Sequence, residues 1–371
     1  MSGGVDSSVT AHLLKEQGYD VVGVFMKCYN IDGCAETDAE DARRVAEHIG
    51  IPFYVWDFEQ EYKDRVVQYM IEGYRAGITP NPDVMCNREI KFGLFLEKAL
   101  ASGADYVATG HYVRLEAVKA EAPKDISQAP DKSQNVIYKL YAAVDSNKDQ
   151  SYFLWTLGQE QLAHCLFPIG GIIKPEVREI ARRAGLPTAE KKDSQGICFL
   201  GKFSLDDFLK EYIPEHRGAL VTTAGEKIGK HSGTEFYTIG QRHIDADFAF
   251  PKTGLAGAAG AARKPFYVAS KDAATNTVVL AEGSDDPLLY RGEVELTQMN
   301  FISGSTLAEG KELPVRARVR YRQPLSDATL SRLENGNYKL AFAAPQKFVA
   351  EGQSAVFYST DGEMLGGGVI I

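Results

Sequence analysis

The sequence predicts an α/β protein: a mostly parallel sheet with helices on both faces, then a small mostly β unit, then a C-terminal β-barrel. Three observations carry that expectation. Up to Phe203, strand-like apolar runs alternate with helical patterns. Past Phe203 the periodicity changes to short strands broken by Gly, Pro and Asn. A length of 371 residues exceeds what one core ordinarily serves. The expected units are 1–203, 204–290 and 291–371.

Taken in order, Ser2-Gly3-Gly4-Val5-Asp6-Ser7-Ser8 opens the chain and runs into a helical pattern from Val9. Adjacent glycines leave backbone N–H groups unobstructed, and Ser7, Ser8 and the helix start add hydroxyls and a positive dipole end. The segment reads as a phosphate cradle, and it is not a Walker loop, because no Gly-Lys-Ser/Thr follows at the proper spacing. Residues 19–26 follow the Gly18 stop as a buried strand, and 38–49 as a helix with apolar Ala39, Ala42, Val45, Ala46 and Ile49, ended by Gly50. Residues 51–57 are the next strand, 59–74 the next helix, and 104–111 a strand ending in Gly110-His111. Ligands of such a sheet sit at the carboxyl ends of strands, where the cradle, Met26 and Gly110-His111 all fall. They are expected to converge on one nucleotide.

Residues 116–135 are polar and aperiodic, the mark of a surface loop. Residues 136–144 read as strand, and 152–166 and 174–184 as helices, the second carrying Arg178, Arg182 and Arg183. Residues 254–264, rich in Gly and Ala, read as a flexible loop. Strands at 292–297, 313–322, 338–342, 353–358 and 366–371 suggest a small barrel.

A hydrophobic content of 44% with 25% charged residues describes a soluble globular chain. No run is long and apolar enough for a bilayer, and no signal peptide precedes the cradle, so a cytoplasmic setting is expected. The net charge of −9 argues against a surface that coats nucleic acid broadly and leaves room for a local basic face. Five cysteines point to a reducing compartment rather than a secreted disulfide framework.

The second informative stretch is Thr79-Pro80-Asn81-Pro82-Asp83-Val84-Met85-Cys86-Asn87-Arg88. Two prolines stiffen a loop that presents Asn81 and Asp83 before a helix expected to begin near Cys86 or Asn87. A cysteine at a helix N-terminus beside Arg88 and Lys91 should be a reactive thiolate, with Asp83 near enough for acid/base work on a heterocycle. A buried structural cysteine with Asp83 as helix cap is the plainer alternative. Cys198 lies in Lys191-Lys192-Asp193-Ser194-Gln195-Gly196-Ile197-Cys198, again an electropositive setting. Cys28 and Cys34 form no recognised zinc spacing, and Cys165 sits among apolar residues. None of these three is assigned a role, and no metal site is expected. Arg316, Arg318, Arg320 and Arg322 alternate with apolar positions, which on one strand puts the guanidinium groups on a single face fit for RNA.

The opening loop resembles the SGGxDS loop of ATP pyrophosphatases. With Asn-Pro-Asp-Val-Met-Cys-Asn, Ala108-Thr109-Gly110-His111-Tyr112, Asn147-Lys148-Asp149-Gln150-Ser151-Tyr152-Phe153, Gly196-Ile197-Cys198-Phe199, Tyr237-Thr238-Ile239-Gly240-Gln241-Arg242 and Arg320-Tyr321-Arg322-Gln323, it resembles the tRNA-specific 2-thiouridylases across the whole chain. That resemblance implies an adenine-nucleotide-hydrolase-like N-terminal sheet, ATP with Mg²⁺ as cofactors, and tRNA as substrate. A sulfur-relay protein or cysteine desulfurase would supply sulfur, and a mitochondrial setting stays open for a eukaryotic source. By the same resemblance, Ser2, Gly3, Gly4, Asp6, Ser7, Ser8, Met26 and Gly110 hold the nucleotide. Cys198 carries a persulfide, Cys86 resolves it into a transient Cys86–Cys198 disulfide, and Asp83 is the acid/base residue. Asn81 and Pro82 line the base, while His111, Lys148, Asp149, Gln150, Arg320, Tyr321 and Gln353 contact tRNA.

Two other classes compete: an ATP pyrophosphatase using an amine nucleophile, which needs no cysteine pair, and a tRNA-binding copy without catalysis. The second arises because family members place a strand before the phosphate loop, whereas here Met1 adjoins Ser2. The sheet is expected to lack a central member, through an upstream start or a truncated, impaired copy.

Overall fold

The computed structural model describes residues 1–29, 33–119, 136–193, 204–249 and 264–371. In the N-terminal unit, helix α1 (Val5–Glu16) leads to β1 (Gly23–Lys27), helix α2 (Cys34–Ile49) and β2 (Phe53–Asp57). Gly50 closes α2 in the left-handed conformation, the cap that its missing Cβ permits. β1 and β2 pair in parallel, Phe25 opposite Val55. A second parallel pair joins β3 (Val107–Ala108) to β6 (Cys165–Leu166). Among the described residues of this unit the parallel strands thus stand as two separate pairs, and the Met1 amino group reaches Val24 O on β1.

In the chain between β3 and β6, β4 (Val113–Lys119) and β5 (Val136–Ala142) form an antiparallel hairpin. Residues 116–119 are therefore strand rather than loop; the rest of the expected loop lies outside the described residues. The pattern over 152–166 also proves misleading. Ser151–Phe153 is a 3₁₀ turn, Gln159–Leu162 a single helical turn, and Cys165–Leu166 a strand. The apolar residues here are not one helical face: Tyr152, Leu154, Trp155 and Leu157 are all buried. The barrel holds them in irregular backbone, with Tyr152 Oη donating to Ser354 O (2.9 Å) and Trp155 Nε1 to Ser354 Oγ (3.0 Å).

The central sheet runs β10–β11–β7–β8–β9, built from β7 (Gly218–Thr222), β8 (Lys227–His231), β9 (Asp247–Phe248), β10 (Phe266–Asp272) and β11 (Thr277–Glu282). The C-terminal unit is a closed six-stranded barrel. Its strands β12 (Tyr290–Phe301), β15 (Tyr338–Lys347), β14 (Ser326–Arg332), β13 (Glu312–Arg318), β16 (Ser354–Tyr358) and β17 (Glu363–Ile370) follow round until β17 pairs with β12. Closure removes the exposed edges that an open sheet leaves. The N-terminal hairpin adds to it, Met364 of β17 pairing with Leu140 of β5.

β13 stops at Arg318, not Arg322, and Arg322 turns the chain at φ 64°. Val315 and Ala317 do face the barrel core. The arginines, however, do not form one solvated stripe. Arg316 is half-exposed near Asp327, whereas Arg318 is buried under the N-terminal unit, its guanidinium donating to Asp149, Ser151 Oγ (3.2 Å) and Tyr358 Oη (2.6 Å).

Candidate functional site

The cradle is built as its residues dictate. Gly4 is the N-cap of α1 and brings no side chain to its open N–H groups, while Gly3 turns at φ 70°. Gly110 closes over this turn so tightly that a Cβ there would stand 2.8 Å from the Asp6 carbonyl carbon and Ser7 N. Two of the expected hydroxyls look elsewhere: Ser7 Oγ and Ser8 Oγ donate to Gly4 O at 3.1 and 2.8 Å, and buried Ser8 also accepts from Thr188 (2.9 Å). Ser8 shapes the turn, and Ser2 stays exposed at its mouth. Met26 stands half-buried near the carboxyl end of β1.

Asp6 anchors a charge cluster that the sequence did not reveal. Lys174 Nζ donates to both Asp6 oxygens (2.7 and 2.9 Å) and sits 2.8 Å from Asp193 Oδ1. Asp193 also takes Arg178 (2.7 Å) and Lys148 (2.6 Å), and Tyr112 Oη donates to Asp6 (2.7 Å). Burial opposes ionisation of Asp193, yet hydrogen bonds from Lys148 and Lys174 prevail and hold its carboxyl at about 2. The available signal was modest: Lys174 and Arg178 lie four apart at the start of the Lys174–Arg183 helix, hence on one face. Lys148, read as a tRNA contact, belongs to this cluster, five residues short of Cys198 at Asp193.

In the second stretch, Asn81 is the cap: its Oδ1 accepts from Val84 N at 3.2 Å, and Pro82 occupies the first helical turn. The helix therefore begins at Pro82, not near Cys86 or Asn87. Cys86 lies a turn inside, fully buried among Tyr62, Val66, Ile90 and Leu280. The argument for a thiolate from a helix N-terminus does not carry over to it. Asp83, in the first turn, is half-buried.

His111 is buried; its Nδ1 pairs with Thr109 Oγ1 (2.8 Å) and its ring lies 5.9 Å from that of Phe92. Burial, then the Lys91 charge, holds the imidazole well below 6.5. Asp149, also buried, caps Ala143 N (3.1 Å) and Ser151 N (3.2 Å) and pairs with Arg318, so its carboxylate is internal to the fold. Gln150 Oε1 accepts from Tyr112 N at 3.0 Å. Tyr321 packs its ring 4.4 Å from that of Phe153, and Arg320 lies over Phe348 at 5.8 Å. Gln353 donates to the carbonyls of Thr79 and Pro80.

Of the other thiols, Cys165 is packing: it is buried, donates to Gln161 O (3.0 Å), and burial pushes it up to about 12. Cys198 lies outside the described residues, and so does its meeting with Cys86.

Direct contacts thus join motifs far apart in sequence. The cradle meets Gly110 and Tyr112; Tyr112 binds Gln150; and Asn87, beside Cys86, donates to Phe153 O (3.4 Å) and Asp83 O (3.0 Å). The arrangement can hold an anion at one end and place a carboxylate and a thiol-bearing helix at the other.

Comparison with known proteins agrees with this layout. The chain matches the tRNA methyl transferase HUP domain over residues 1–202, the tRNA methyl transferase PRC-barrel domain over 206–282 and the aminomethyltransferase beta-barrel domain over 291–370. It is 45% identical over 375 residues to the tRNA-specific 2-thiouridylase MnmA of Bacillus cytotoxicus, covering 100% of this chain and 93% of that one. The protein of the same name from Thiobacillus denitrificans is 46% identical over 376 residues, covering 100% and 98%. The adenine-nucleotide-hydrolase-like sheet, β central unit and barrel accord with those matches, and the chain belongs to the tRNA-specific 2-thiouridylase family.

Proposed function

We propose that this chain thiolates C2 of the wobble uridine in tRNA, using ATP. Residues 1–203 would form the ATP-pyrophosphatase unit, with 204–290 and 291–371 binding tRNA. The uracil O2 attacks the α-phosphate of ATP and pyrophosphate departs, so a poor oxide leaving group becomes AMP. The terminal sulfur of a Cys198 persulfide attacks C2 and expels AMP. The Cys86 thiolate then attacks the Cys198 sulfur, releasing 2-thiouridine and leaving a Cys86–Cys198 disulfide for reduction. A sulfur-relay protein or cysteine desulfurase recharges Cys198 in the cytoplasm.

Ser2, Gly3 and Gly4 grip the phosphates with Asp6 beside them, Ser7 and Ser8 serve by shaping the turn through Gly4 O, and Met26 and Gly110 border the adenosine. A cradle that a Cβ on Gly110 would fill, with uncapped N–H groups, fits a nucleotide. Among the described residues no group of three or more His, Cys, Asp or Glu is arranged to hold a metal. Mg²⁺ would therefore arrive on the phosphates, with Asp6 the adjoining carboxylate; it would screen charge at the departing pyrophosphate. Asn81, Pro82 and Asp83 receive the uracil, which must be flipped out of the anticodon stack to reach them. His111, Lys148, Asp149, Gln150, Arg320, Tyr321 and Gln353 border the RNA side. For His111, Lys148, Asp149, Gln150 and Gln353 that contact would come through backbone or neighbouring atoms, since their side chains are engaged within the fold.

The observation that carries this reading is the chain of contacts from cradle to Cys86 helix through Tyr112, Gln150 and Phe153. Cys86→Ser and Cys198→Ser should each abolish 2-thiouridine formation while tRNA-dependent release of pyrophosphate from ATP persists. Thiolation surviving Cys198→Ser would favour a pyrophosphatase that uses another nucleophile.

A further inference from the structure

The loop that holds Asn81 and Pro82 is fixed from outside its own unit. Thr79 N donates to Glu351 O (2.8 Å), and the Gln353 carboxamide donates to the carbonyls of Thr79 and Pro80, each at 3.1 Å. Thr79 Oγ1 meets Thr238 Oγ1 of the central unit at 3.4 Å. Gly352 faces the same loop with φ +86°, and a Cβ there would stand 2.9–3.1 Å from Thr79 backbone atoms. Because Pro80 and Pro82 lack N–H groups, the loop has few donors of its own, and its carbonyls must be satisfied from elsewhere. The helix that follows is wedged on two sides. Val84 and Phe92 pack in one cluster with Val356 and Tyr358 of the barrel, Cys86 and Ile90 in another with Leu220 and Leu280 of the central sheet.

We propose that Gln353 and Gly352 are positioning residues: the barrel sets where Asn81, Asp83 and the turn leading to Cys86 stand. This rests on residues 79–86 being the reaction loop proposed above. Gln353 uses its amide nitrogen on two carbonyls, so that nitrogen is not offered to RNA. Movement of the loop passes directly into the helix, because Asn81 Oδ1 caps Val84 N.

The test uses Gln353→Leu and, independently, Thr238→Val in the full chain, so that a folding failure of one variant leaves the other. Backbone amide exchange over residues 79–88, kcat for 2-thiouridine and tRNA affinity are read together. Exchange should quicken by at least about tenfold as the clamp opens. The kcat should fall about tenfold in both, and in Thr238→Val, which is not placed beside RNA, the tRNA Kd should stay within about threefold, since misplacement harms the reacting geometry rather than binding. Unchanged exchange in both variants overturns the clamp, and a normal kcat with a loosened loop overturns its role in the reaction. Exchange needs neither tRNA nor ATP, so wild-type protein that makes no 2-thiouridine counts against the functional reading alone.

Discussion

At the scale of single residues, burial has reassigned several side chains that motif and charge suggested were exposed. His111 is the clearest, because its titration gives a sign. The unfolded imidazole takes up a proton near 6.5, while the buried one, desolvated and facing Lys91, resists it. Between those two values the unfolded state binds more protons, so stability rises with pH and is lost as pH falls below about 6.5. Thermal unfolding at pH 7.5 and 5.5 should therefore show a larger loss in the wild type than in His111→Gln. An equal loss in both would place the sensitivity elsewhere. Lys174 shows the opposite pattern: a cation legible only as part of an amphipathic helix proves to bridge Asp6 and Asp193, because sequence spacing cannot show which distant carboxylates a helix face will meet.

Elements that carry their own punctuation were readable from the chain alone. α2 ends at Gly50, β2 precedes its helix, and the Lys174–Arg183 helix falls within the expected 174–184. Misreadings arose where tertiary partners overrode local pattern. The apolar residues of 152–157 imitate a helix yet are shared out over the barrel surface. The arginine alternation holds to Arg318 and then breaks at the Arg322 turn. The helix bearing Cys86 was set early by a cap of ordinary kind, Asn81, overlooked because Asn81 had been read only as a base contact. Asn81→Ala removes that cap and should destabilise the first turn by about 1 kcal/mol. Circular dichroism melts would show a lowered Tm, and thiolation should fall further than folding does; an unaltered Tm would deny the cap its role.

Across the whole molecule, the three units share cores rather than merely adjoining. A hairpin of the first unit extends the barrel sheet, and the Asp149–Arg318 pair is buried between them. Removing one member of such a pair strands the other charge, so Arg318→Met should cost about 3–5 kcal/mol, and Asp149→Asn combined with it should recover part of the loss. Urea unfolding would read both; a neutral single variant would show the pair to be incidental. The resemblance pointed to the cradle, the Asn-Pro-Asp loop and the two cysteines, and the fold connects the first two through Tyr112, Gln150, Phe153 and Asn87. The central claim is that this chain puts sulfur on a tRNA uridine. Its most direct test is nucleoside mass spectrometry of tRNA from cells lacking the gene, before and after its return on a plasmid. The account predicts that 2-thiouridine disappears and then comes back; the same level in both would contradict it.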